Sequence, residues 1–150
     1  MRDSLGSVVV LTIIVVFVVI VSAYMAFNVN YTKAFRMKNR IISLYEEYDG
    51  RCFSTGECET KIRNYAKEIG YNPSVKSCET KNGKKGTLKD NNYCVYQYTV
   101  YTDDSKSVDD IGNRYYYRIV TTIDIKIPII QNVFGYRFLR VTGDTKMFKK

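Results

Sequence analysis

Cys52, Cys58, Cys78 and Cys94 are the residues of this chain whose type and number point most directly to covalent chemistry. Their spacing, C-x5-C-x19-C-x15-C, lacks the short paired C-x2-C elements of structural zinc sites, and the chain has no histidine. An even count fits two disulfides formed in an oxidising, extracytoplasmic compartment. A second group, Lys81, Lys84, Lys85 and Lys89, crowds one short segment. Held at a hairpin tip, those lysines could contact DNA or an anionic cell-wall polymer; the plainer reading is a solubilising turn. Asp103, Asp104, Asp109 and Asp110 share one loop, and clustered carboxylates suit a hard cation such as calcium. Their spacing is not that of an EF-hand, and acidic loops are ordinarily just solvated. The sequence contains no nucleophile elbow, Gly-rich phosphate loop or metalloprotease helix. The expectation is therefore a protein that is not an enzyme and needs no cofactor or metal.

The elements that must position these residues begin with a long apolar stretch. Residues 4 to 32 carry no charge, and Val8 to Phe27 is dominated by Val, Ile, Phe and Ala. At about 1.5 Å per residue, twenty helical residues reach roughly 30 Å, the thickness of a bilayer's hydrocarbon core. The reading is a single-pass protein in the cell membrane. Three treatments of its N-terminus compete: a signal peptide cut after Val21-Ser22-Ala23, an uncleaved anchor, or a prepilin-type leader of residues 1–6 cut between Gly6 and Ser7. The flanking charges conflict with the cysteines. Lys33, Arg36, Lys38 and Arg40 follow the span while Arg2 precedes it, which by the positive-inside rule would face the C-terminal side to the cytoplasm. The disulfide argument outweighs this, placing the N-terminus in the cytoplasm and the C-terminal domain outside.

Beyond the span of 7–29, residues 30–150 form one extracytoplasmic domain. Its first part, 30–50, continues the helix: Tyr31, Ala34, Phe35, Ile41, Ile42, Tyr45 and Tyr48 recur at helical spacing, and Gly50 supplies a stop. A bend near Asn28 to Asn30, giving two helices, is the alternative. Residues 51–70 hold a loop with Cys52 and Cys58 and a second short helix, about Glu59 to Ile69, stopped by Gly70. From 74 to 150 the pattern changes to strands. Tyr115, Tyr117, Ile119, Ile123, Ile125 and Ile127 alternate with polar residues at a period of two. Val75–Thr80, Tyr93–Thr102 and Tyr136–Lys146 complete an expected four-stranded antiparallel sheet, against which the amphipathic half of the long helix packs, an α+β fold. A hairpin centred on Gly86 would set Cys78 and Cys94 face to face, leaving Cys52 to pair with Cys58. Of three possible pairings this is the favoured one. The apolar connection Pro128 to Phe134 reads as core folded under the sheet or as a surface for a partner. Net charge is +8, which suits anionic membranes, wall polymers or nucleic acid, and equally plain solubility.

A short leader ending in Gly6, an apolar helix with an amphipathic extension and a C-terminal antiparallel sheet together resemble type IV pilin-like proteins. Within that group the chain looks most like the TadE-like pseudopilins of tight-adherence (Tad) pilus systems. Asp124-Ile125-Lys126-Ile127-Pro128-Ile129-Ile130 to Gly135, then Val141-Thr142-Gly143, is similar to the tail of those proteins. The resemblance implies processing by a prepilin peptidase at Gly6, and packing of the helix among other pilin-like subunits or into a pilus assembly platform. Pilins usually carry a glutamate five residues after the cleavage glycine. Leu11 occupies that position here, which points to a minor or initiating subunit, or to an unprocessed anchored relative. A membrane-anchored binding module that never assembles is the rival reading.

Overall fold

From residue 7 to residue 49 no glycine or proline interrupts the chain. It forms one helix, α1 (Arg2–Glu47), of 46 residues and roughly 70 Å at 1.5 Å per residue. In this computed structural model residues 2–52, 56–73, 75–81, 83–90, 92–100, 114–124 and 138–149 are described. The helix runs unbroken through Asn28–Asn30, so the bent alternative does not hold. Thr12 and Thr32 stay satisfied inside it by donating to Val8 O and Asn28 O, at 2.9 and 2.8 Å. At its C-terminal end Asp49 and Gly50 both turn left-handed (φ 47° and 75°). The Gly50 amide donates to Tyr45 O and the Asp49 amide to Glu46 O, at 2.8 and 3.3 Å, the paired bonds of a Schellman cap.

The second helix, α2 (Gly56–Glu68), ends the same way. Gly70 is left-handed (φ 62°), its amide donates to Lys67 O, and the Tyr71 amide to Ala66 O. Seven strands follow: β1 (Thr80–Lys81), β2 (Lys84–Lys85), β3 (Thr87–Lys89), β4 (Tyr93–Val100), β5 (Arg114–Asp124), β6 (Phe138–Asp144) and β7 (Phe148–Lys149). The main sheet is antiparallel and five-stranded, in the order β3-β4-β5-β6, with β7 beside the start of β5. Strands β6 and β7 lie along the same edge of β5. Between them Thr145 keeps the ladder closed: its amide donates to Tyr117 O and its Oγ1 accepts from the Tyr117 amide.

Period-two alternation decides the two faces of β5. Tyr115, Tyr117, Ile119, Thr121 and Ile123 point to the helices; Ile119 and Thr121 are fully buried. Ala34, Met37, Ile41, Leu44 and Tyr45 of α1, Cys58, Ile62 and Ala66 of α2, and Tyr93 and Val95 of β4 complete this core. The architecture is α+β, two helices on one face of an antiparallel sheet. The helix stripe lies slightly around from the expected one. Tyr31 and Phe35 remain 44% and 41% exposed, while Met37 and Leu44 are fully buried. Gly143 lets α1 approach β6; a Cβ there would sit 2.7 Å from Ile42 Cδ1 and 2.9 Å from Lys38 Cδ.

The expected strand Val75–Thr80 is the main correction. Only Thr80–Lys81 is β structure, and it pairs with Lys84–Lys85 in a separate two-stranded ribbon turning at Gly83 (φ 73°), not at Gly86. The edge of the main sheet is β3, whose Leu88, not Cys78, lies opposite Cys94. The physical reason is a second apolar cluster. Cys94, Tyr96 and Val120 on the outer sheet face need a cover, and Val75, Cys78 and Leu88 pack there. A segment lying over the face cannot also lengthen its edge.

Candidate membrane and interaction surfaces

Among the described residues nothing packs on the apolar first half of α1. Its most apolar stretch has mean hydropathy 3.0 over 18 residues, none of them buried, and α1 is long and apolar enough to cross a membrane. Phe17 is 65% exposed and Tyr24 67%. Where the apolar run gives way to the domain, Phe27, Tyr31 and Phe35 form a ladder at four-residue spacing, with ring centroids 6.2 and 6.3 Å apart. Lys38 Nζ lies 4.3 Å from the Phe35 ring centroid. Gly6 and Ser7 are both in the helix, and a Cβ at Gly6 would meet nothing.

Both pairs of cysteines are joined. Cys52 and Cys58, with Cα atoms 5.3 Å apart, bind the end of α1 to the start of α2 inside the core. Cys78 and Cys94, 5.8 Å apart, fasten the 75–79 segment across the outer face of β4. The fastening is reinforced by side chains. Tyr96 Oη donates to Glu79 O at 2.7 Å, and Arg140 of β6 grips the Glu79 carboxylate with both guanidinium nitrogens. The hydrogen bonds from Arg140, and then its charge, hold the Glu79 carboxyl below its usual range.

The four lysines do not form one patch. Lys89 Nζ pairs with the Glu59 carboxylate of α2, away from the β1–β2 turn. Lys84 Nζ bonds Gln97 O at 3.1 Å and lies 5.3 Å from the Tyr98 ring centroid. Lys81 and Lys85 stay at the ribbon, with Lys85 exposed. A polyanion reaching this turn would meet Lys81 and Lys85, while Lys84 and Lys89 are engaged elsewhere. The loop of Asp103, Asp104, Asp109 and Asp110 and the Pro128–Phe134 connection lie outside the described residues. Among the described residues no group of three or more His, Cys, Asp or Glu could hold a metal ion.

Two groupings escape the sequence reading. On the outer face Tyr98 and Tyr116 stack at 5.3 Å, and Arg118, held by Asp144 through bonds of 2.7 and 2.8 Å, lies 5.2 Å from the Tyr98 ring. The register Tyr98↔Tyr116 brings them together, and no local spacing reveals a register across thirteen undescribed residues between strands. The second is a cleft of about 260 Å³ where α1 meets the end of α2, lined by Asn30, Lys33, Gly70, Tyr71, Asn72, Pro73, Thr122 and Ile123. Lys33 Nζ reaches Gly70 O at 3.4 Å. Tyr71 is buried in its wall, and burial pushes its hydroxyl well above the usual tyrosine range.

Compared with known proteins, the chain matches no family model, no curated protein and no solved structure.

Proposed function

We propose that the protein is a membrane-anchored, pilin-like structural subunit: a minor pilin or pseudopilin of a Tad or type IV-like pilus, or of its assembly platform. One observation carries the reading. Among the described residues, a single unbroken helix leaves its apolar half bare and packs its other half on an antiparallel sheet. A static anchor needs only about twenty residues and no rigid continuation. A subunit drawn from a bilayer into an assembly needs both halves in one rigid piece. The N-terminus lies in the cytoplasm and the disulfide-bonded domain outside, where thiols oxidise. Prepilin peptidase cuts between Gly6 and Ser7, and Leu11, in place of the customary glutamate, fits a subunit present in few copies.

The test is mass spectrometry of the mature N-terminus from native membranes. Ser7 as first residue is the expected result. Met1 would favour the rival, a single-pass binding module that does not assemble, and Tyr24 would mean a secreted domain.

A further inference from the structure

Lys33, Arg36, Lys38 and Arg40 are the only charges between Ser4 and Tyr45, so four cations stand on α1 with no carboxylate on the same stretch. Among the described residues none of the four is in an ion pair with an acidic side chain. Lys33, the first of them, is half-buried at the cleft between α1 and the C-terminal end of α2. The height of that cleft above the apolar span follows from helix geometry. Asn30 lies three residues, about 4.5 Å, beyond Phe27 along the axis, and Lys33 about 9 Å beyond it. If Val8–Phe27 fills the hydrocarbon core, the cleft stands at the level of the lipid headgroups.

Its lining suits a phosphodiester. Lys33 supplies the cation, the Asn30 and Asn72 amides are donors, and among the described residues no acidic one lines the cleft to attract a choline group. We infer that this cleft binds the headgroup of an anionic phospholipid in the leaflet facing the domain, with Lys33 on its phosphate. The same contact explains how a basic collar is tolerated on the side of the span where the positive-inside rule does not expect it. This inference rests on the membrane-spanning part of the proposed function, and not on assembly into a pilus.

The experiment uses the full chain in dodecyl maltoside, titrated with phosphatidylglycerol or phosphatidylcholine, with bound lipid counted by native mass spectrometry. Phosphatidylglycerol is expected to be retained about fivefold better than phosphatidylcholine. Lys33→Gln and Asn72→Asp should each remove about that factor, while Lys85→Gln at the distant ribbon should not. The Asn72 variant leaves the Lys33–Gly70 contact in place, so it still reports if the Lys33 variant folds poorly. Equal retention of the two lipids, or unchanged retention in both variants, overturns the site. Inorganic phosphate is expected not to displace the lipid; displacement would make this a soluble-anion site and overturn the lipid assignment. Alkaline carbonate extraction of native membranes separates the two readings. A chain washed off refutes the membrane span itself, whereas a retained chain without lipid preference refutes only the cleft.

Discussion

Tyr71→Phe removes a single oxygen atom at the place where the helices and the sheet are tied together. Strand β4 begins at Tyr93, opposite Thr121, so the backbone of Thr122 has no further β4 residue to pair with on that side. The Tyr71 hydroxyl takes over. It accepts from the Thr122 amide at 2.9 Å and faces Thr122 O and Asn92 O at 3.0 and 3.2 Å, donating its proton to one of them at a time. Thr122 is only 5% exposed, so water does not replace the lost partner. Phenylalanine fills the same space and leaves no cavity, so the cost is that of a buried unpaired amide, about 1–3 kcal/mol. With a urea m-value of about 1–3 kcal/mol/M for a small domain, the unfolding midpoint should fall by roughly 1 M at unchanged slope. Near-UV circular dichroism of the tyrosines, on full-length protein in detergent, reads the transition, since the chain has no tryptophan. Hydrogen exchange should show the Thr122 amide losing protection while Ile119 keeps its own. A midpoint unchanged within error, with Thr122 still protected, would refute the reasoning.

Three further outcomes follow from described contacts. Gly86→Ala should destabilise by about 1–3 kcal/mol because its Cβ would lie 2.6 Å from Tyr96 Cζ, and Tyr96 is held by Glu79 O and cannot swing aside; an unchanged thermal midpoint would show that the ring gives way. Replacing Cys78 and Cys94 together by alanine should cost about 3 kcal/mol, the loop-closure value for a loop near fifteen residues, and should expose the 75–79 segment to protease before the sheet unfolds. Burial raises the hydroxyls of Tyr45, Tyr71 and Tyr93 above the ordinary value. Their stabilising contribution is complete below about pH 10, where unfolded tyrosine begins to ionise, and is lost as pH rises further. An ultraviolet titration should therefore show these three ionising together with alkaline unfolding; early, smooth ionisation of all fourteen tyrosines would contradict the packing.

How much of this was legible in the sequence varies with the range of the force involved. The α+β class, both helices and the alternation of β5 depend on patterns contained within one element, and they read directly. So do the stops at Gly50 and Gly70, because a left-handed cap is a local requirement. Val75–Glu79 did not, since Val75 and Cys78 serve equally in a strand or as cover. Only the apolar outer face of β4, with Tyr96 locked onto Glu79, decides between them. The cysteine pairing illustrates the same point. Cys78 and Cys94 are joined, yet through a segment laid over the sheet, not as opposed residues of one hairpin. The lysine group dissolves for a related reason: Lys89 lies on β3, where Glu59 of another helix is in reach, and sequence spacing cannot anticipate a carboxylate thirty positions away. The α1–α2 cleft was invisible because its lining comes from three separate stretches of chain.

The unbroken course of α1 through Asn28–Asn30 has a mechanical meaning. A flexible linker would let the domain wander over the membrane surface and would absorb a pull on it as slack. Here the sheet is bonded to the same rod that carries the apolar stretch, through contacts such as Thr121 Oγ1 on Ala34 O. The domain therefore tilts when the rod tilts, and a load applied to the sheet passes straight into the apolar half of the helix.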